Sequence, residues 1–237
     1  MRVAKLTLTL LEPVSFATRQ ANKTTITEPI IHPYALAFAL GWAGREGAKP
    51  NPYITGVLDG SSTRGPDHRG MLAGMPFRLT AATSTGHSTV TRTLQRGEEG
   101  LRSAPKDKNS KSPESDLFGK NVKNGADLKD TNIPVYVFSR ELDTGSQFVA
   151  YAYGEIPEFP PYIRLGRWMS KCRVDVQLLD AQRHNGTWHS RATFLPEDAP
   201  EGTEDFSILG MNPCPLIQEP SGQGHYLQAQ GVTLPIH

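Results

Sequence analysis

Four cations fall within ten residues, Arg164, Arg167, Lys171 and Arg173, and no acid occurs between Tyr162 and Val174. The whole chain carries a formal net charge of only +1, so this is a local concentration of positive charge in a nearly neutral protein. In a helix, Arg164, Arg167 and Lys171 would share one face, because residues three and four apart are neighbours there. In extended chain, Lys171, Arg173 and Asp175 would share a face instead. In either case several like charges point the same way, which destabilises a fold unless something anionic sits opposite. Phosphate is the obvious counterpart, since guanidinium groups bind its oxygens in bidentate fashion. Tyr162 and Trp168 add flat apolar surface for stacking an unpaired base, worth about 1–3 kcal/mol per base. Gly166 would allow a backbone to come close. The plainer alternative is a wetted basic face whose aromatic residues belong to the core.

Two weaker basic clusters accompany this one. Arg19 and Lys23 lie in "FATRQANK", after the first predicted strand. Arg64, Arg69, Arg78, Arg92 and Arg96 are set against the single acid Asp67, with His68 and His87 in the same region. Catalytic signatures are sparse. The sequence has no GxSxG, Walker loop or HExxH motif. His184 and His189 lack paired cysteines or carboxylates, so no metal site is expected, and no cofactor. His32, directly before Pro33, reads as a helix-start or core histidine. Metal-independent RNA cleavage needs only a base, an acid and a cation near a 2′-hydroxyl. Scattered His, Tyr and Lys near the basic loops, for example His32 and Tyr34, could supply such an activity.

These groups must be positioned by recognisable elements. "VAKLTLTLL" alternates Leu6, Leu8 and Leu10 with Lys5, Thr7 and Thr9, which predicts a half-buried strand. "HPYALAFALG" predicts a helix with Pro33 in its first turn and Gly41 beyond its end. Tyr34 to Leu40 are all apolar, so this helix needs cover on several sides. Residues 44–74 read as loop, and "MPFRLTAAT" as a second strand from about Met75. From about Ser84 to Asp130 the chain is polar and reads as a long insertion. "NIPVYVFSREL" and "SQFVAYAYGE", joined by "DTGS", predict a hairpin with Gly145 in its turn. "RVDVQLL" alternates Val174, Val176 and Leu178 with Arg173, Asp175 and Gln177, and "TWHSRATFL" is expected to pair with it across "RHNG". From about 195 to 237 a strand- and loop-rich, irregular C-terminal extension is expected. The order suits an α+β fold, an antiparallel sheet with one main helix layer.

At 237 residues the chain can bury a sizeable core without disulfides. Its two cysteines, Cys172 and Cys214, read as free thiols of a reducing cytoplasm. The N-terminus is a strand rather than a signal peptide, and no run approaches the ~20 apolar residues of a membrane span.

Three segments together, "LTLLEPVSFATRQ", "TEPIIHPYALAFALG" and "YIRLGRWMSKCRVDV", resemble the Csc-one family, the subtype I-D branch of the Cas-five superfamily of CRISPR-associated proteins. The likeness covers the first ~42 residues and about 155–180, and Gln20 stands where relatives are expected to carry an acid. The resemblance implies a single RRM-like (ferredoxin-like) domain over 1–237 with an inserted thumb at about 84–130. It implies a non-catalytic subunit of a Cascade surveillance complex that caps the 5′ handle of the guide crRNA. Its expected partners are crRNA, the Cascade backbone subunit, the large subunit and PAM-proximal target DNA. On this reading Arg164, Arg167, Lys171 and Arg173 grip handle phosphates, Arg19 assists, and Trp168 or Tyr162 stacks on a base. The two competing functions are a repeat-processing endoribonuclease and a protein-only assembly adaptor.

Overall fold

The computed structural model describes residues 2–16, 18–21, 24–41, 75–96, 135–211 and 213–236. The centre is β1 (Arg2–Leu10), which forms as the alternation predicts. Ala4, Leu6, Leu8 and Leu10 are fully buried on one face, while Lys5, Thr7 and Thr9 are half-buried on the other. It pairs antiparallel on one edge with β9 (Gln147–Gly154) and on the other with β11 (Ser170–Asp180). The full order of this antiparallel sheet is β10-β11-β1-β9-β6-β4, where β10 is Tyr162–Leu165, β6 Ala82–Gly86 and β4 Ile30–Ile31. β5 (Phe77–Leu79) also pairs with β9.

The predicted second strand is thus two pieces broken at Thr80 and Ala81. Thr80 repairs the ladder itself: its N–H donates to the Tyr151 carbonyl, and its Oγ1 accepts from the Tyr151 N–H at 2.9 Å. The freed Ala81 N–H turns outward to the carbonyl of Thr193, in the segment that leads to a third sheet.

The helix α1 (Pro33–Ala39) follows the expectation. His32 caps it, accepting the Tyr34 N–H on Nδ1. Gly41, with φ +77°, lies just past Leu40 and takes the left-handed conformation that favours glycine. Tyr34, Leu36, Ala37 and Leu40 are buried, and Ala35, Phe38 and Ala39 partly so. Against them lie the leucines of β1, Phe148 of β9 and Val174 of β11. Val176 and Leu178 share that sheet face but are 43% and 55% exposed, so the alternation of β11 marks a buried face only as far as Val174.

Three sequence-based expectations need correction. The segments flanking "DTGS" make the turn, with Gly145 at φ +83°, but not the hairpin. β8 (Val135–Leu142) joins a second sheet, β2-β3-β8-β7, while β9 joins the first. Residues 10–14 take the partners a hairpin would use: the Val14 and Leu142 backbones exchange hydrogen bonds, as do Leu10 and the Gly145–Ser146 turn. In this second sheet β2 is Arg19–Ala21, β3 Thr24–Ile26 and β7 Thr89–Arg96. The start of the supposed insertion is therefore strand; residues 97–134 lie outside the described residues.

Nor do "RVDVQLL" and "TWHSRATFL" pair. Gln177 and Leu178 are already opposite Lys5 and Ala4. "RHNG" stays extended within β12 (Gln182–His189), which pairs along its length with β14 (Leu216–Ala229). Finally, the extension from about 195 is not irregular. It holds β13 (Thr203–Leu209), β14 and β15 (Val232–Pro235), which complete a third sheet with β12. Val3, Tyr153 and Leu179 pack with Phe194, Leu227 and Leu234, and Tyr34 with Leu195 and Leu216, so two apolar clusters hold this sheet to the first.

The repair at Thr80 is testable. Thr80→Val keeps the volume but leaves the part-buried Tyr151 N–H without its acceptor, which should cost about 1 kcal/mol in urea unfolding. Hydrogen exchange of the Tyr151 amide should speed up selectively.

Candidate nucleic-acid interface

The basic stretch is a β-hairpin, not a helix. β10 and β11 pair with Tyr162 opposite Arg173 and Arg164 opposite Lys171. Directly opposed residues project from the same side of a sheet. Tyr162, Arg164, Lys171 and Arg173 are thus on one exposed face, while Ile163, Leu165 and Cys172 are buried in the core behind them. The helical grouping of Arg164, Arg167 and Lys171 does not occur. The extended grouping of Lys171, Arg173 and Asp175 does, and β10 adds an aromatic ring and a third cation to it.

Arg173 Nε meets Asp175 Oδ2 at 2.9 Å, with both side chains about half exposed. Such surface pairs contribute about 0–1 kcal/mol, so the guanidinium stays available to a stronger anion. Arg164 Nη1 donates to the Met169 carbonyl at 3.0 Å and leans toward the hairpin tip. In the tip, the Arg167 guanidinium carbon lies 5.3 Å from the Trp168 ring centroid, a cation–π arrangement, and Trp168 is 51% exposed.

The tip is tied to the chain that leaves β1. The Arg167 N–H donates to the Ser15 carbonyl at 2.9 Å, Ser170 Oγ to the Pro13 carbonyl at 2.6 Å and the Lys171 N–H to Glu12 Oε2 at 2.8 Å. Gly166, at φ +70°, does allow a close approach, but to the protein's own backbone: a Cβ there would stand 2.7 Å from the Ser15 carbonyl oxygen. Glu12 and Ser15 carried no signal in the sequence, because only the fold brings them to the hairpin.

Arg19 sits on β2, the outer strand of the second sheet, opposite Ile26, and its side chain lies outside the described residues. Lys23, Arg64, His68 and Arg69 also lie outside them. Arg78 is committed to Asp198 at 2.9 Å, and His87 Nδ1 is 2.9 Å from Ser84 Oγ.

His32 and Tyr34 form a brace around α1. His32 Nε2 reaches the Cys214 carbonyl at 3.3 Å, and the Tyr34 hydroxyl donates to Glu197 Oε1 at 2.5 Å. Burial, with Glu197 adding to it, pushes the Tyr34 phenol and the Cys214 thiol above their ordinary values. Burial lifts the Cys172 thiol to about 12. Asp198 is pushed up to about 6 by burial, against the opposing pull of Arg78. Among the described residues no cluster of three or more His, Cys, Asp or Glu has metal-binding geometry, and no helix is long and apolar enough to cross a membrane.

Comparison with known proteins puts the chain among the CRISPR-associated proteins. It belongs to the family of type I-D CRISPR-associated proteins Cas5/Csc1, which it matches over residues 1–237. No curated protein sequence matches it. Among solved structures, a CRISPR protein from Archaeoglobus fulgidus is similar over 99% of this chain and 98% of its own, with 10% identity and a TM-score of 0.45. A chain of the type III-B Cmr-beta complex bound to cognate target RNA and AMPPnP is similar over 97% of this chain and 85% of its own, with 11% identity and a TM-score of 0.34.

Two outcomes follow. Gly166→Ala adds both a strained φ and a steric clash, so it should destabilise by about 1–3 kcal/mol. Gly41→Ala, where a Cβ meets nothing within 4 Å, should cost less in the same denaturant titration. Asp198 binds its proton more tightly folded than unfolded, so its contribution is largest below about pH 4 and is lost as pH rises toward 6. The stability lost between pH 4 and pH 6 should therefore be smaller in Asp198→Asn than in the unaltered protein, by about 1–3 kcal/mol.

Proposed function

We propose that this chain is a non-catalytic, cytoplasmic subunit of a type I-D Cascade complex that binds and caps the 5′ handle of the guide crRNA. In that role it docks the backbone and large subunits near the PAM end of target DNA. The observation that carries this reading is the hairpin face: Tyr162, Arg164, Lys171 and Arg173 lie side by side on one exposed surface, with Arg167 and Trp168 at its tip. Three or four cations suit a short RNA end, whose phosphates they neutralise while releasing counterions. Tyr162 and Trp168 supply rings on which a splayed base can stack.

The order β11-β1-β9-β6, with α1 between β1 and β6 in the chain, supports an RRM-like core. Where that pattern would place a second helix, between β9 and β11, this chain carries β10 and the hairpin tip. Arg164 and Arg167 thus lie in the stretch of chain where that pattern would carry a second helix.

The test uses the purified protein and a synthetic handle RNA across a salt series. Arg164→Ala with Arg167→Ala should weaken binding and flatten the log–log salt dependence by about 0.7 per lost phosphate contact. An unchanged slope overturns the assignment. Repeat RNA incubated with the protein and EDTA should stay intact; a discrete cleavage product would establish the endoribonuclease instead. Handle affinity that exists only in the assembled complex would favour the adaptor.

A further inference from the structure

The third sheet carries a recess that the hairpin does not explain. Gly186 of β12 and Gly224 of β14 face each other across the ladder, at φ +153° and +138°. Glycine inside a strand weakens it and often marks a place where something approaches the backbone closely. At Gly154, Gly166 and Gly222 that something is this chain itself, since a Cβ would lie within 3.0 Å of its own backbone. At Gly186 and Gly224 a Cβ would meet nothing within 4 Å, so the space over this pair is open.

The next residues on the same face are aromatic on both sides. His184 and Tyr226 are opposed in register and stacked, with ring centroids 5.4 Å apart and planes 24° from parallel. Their rings are exposed and half-buried respectively. On the other side stands Trp188, 3% exposed, whose indole N–H is without a hydrogen-bond partner among the described residues. Beyond His184 and Tyr226 the same face carries Gln182 opposite Gln228. Gln228 Oε1 accepts from Thr233 Oγ1 at 2.9 Å, which turns its NH₂ group free to donate. This face, Gln182, His184, Gly186 and Trp188 of β12 with Gly222, Gly224, Tyr226 and Gln228 of β14, carries no acid, arginine or lysine.

We infer that this recess is a second nucleic-acid contact, which takes one unpaired base of a single strand. A planar ring fits a bare backbone floor beside a stacked imidazole–phenol pair, and carboxamides match the donor and acceptor edges of bases. The absence of arginine and lysine from this face makes the contact a stacking site rather than a phosphate clamp. It does not rest on the hairpin reading.

The experiment uses the full chain with a single-stranded RNA of ten adenosines and with the same sugar–phosphate decamer lacking bases. His184→Ala with Tyr226→Ala should weaken adenosine-decamer binding about tenfold. The salt slope should not change, and the abasic decamer should bind both proteins alike. Ultraviolet crosslinking of the unaltered protein needs no variant and should attach the decamer within 182–189 or 221–228. Unchanged affinity in the folded double variant, or crosslinks only elsewhere, overturns the site. A variant that binds the decamer normally but no longer joins its assembly would assign the recess to a protein side chain instead, and also overturns it. The salt slope separates the two surfaces, because it responds to the hairpin arginines and not to His184 or Tyr226.

Discussion

Burial of the β1 leucines is the constraint on which the rest depends. Each residue from Arg2 to Leu10 has a partner on β11, and Val3 to Thr9 have partners on β9 as well. Because Leu6, Leu8 and Leu10 must face the core, Cys172 and Val174 must face it with them, and Lys171 and Arg173 must face away. A slip of β11 by one residue would exchange its faces, burying two cations and exposing Cys172 and Val174. The placement of charge on the hairpin is therefore a consequence of apolar packing on the opposite side of the same strands. The same ladder sends β11 on, through Ala181, into β12 and the third sheet.

What the sequence disclosed, and what it hid, follows from the range of the interactions involved. β1 and α1 were readable because their signals are local: alternation in one, and Pro33, His32 and Gly41 at the ends of the other. The hairpin expected around Gly145 was not formed, although its turn was. The decision lay with residues 10–14, more than a hundred positions away, which took the hydrogen bonds the two strands would have shared. β14 was hidden because Pro220, Gly222 and Gly224 give it the composition of a loop. It tolerates them where β13 and β15 pair with different stretches of its free edge. The pairing of Leu178 with Ala4 rather than with a later strand was likewise a matter of competition between distant partners.

At the hairpin, residue types were legible and geometry was not. Arg164, Arg167 and Lys171 fit a helical period as well as an extended one, and only the opposition of Arg164 to Lys171 across the ladder selects between them. Gly166 was correctly singled out for a close approach, but the approaching group is Ser15. Arg19 belongs to β2 of the second sheet, and its side chain lies outside the described residues. The His184–Tyr226 pair had no signal in the sequence, because the two residues are 42 positions apart and meet only through the β12–β14 register.

The bonds from Glu12, Pro13 and Ser15 to the hairpin tip have a thermodynamic consequence for anything that binds there. A free loop bearing arginines must be frozen on association, at about 0.5–1.5 kcal/mol for each immobilised side chain, and more for its backbone. Here the backbone between Leu165 and Lys171 has given up that freedom during folding. Only the outer ends of Arg164, Arg167 and Lys171 are left to settle. A ligand of the tip would meet a preformed die, and fit and charge rather than the entropy of ordering a loop would set its affinity.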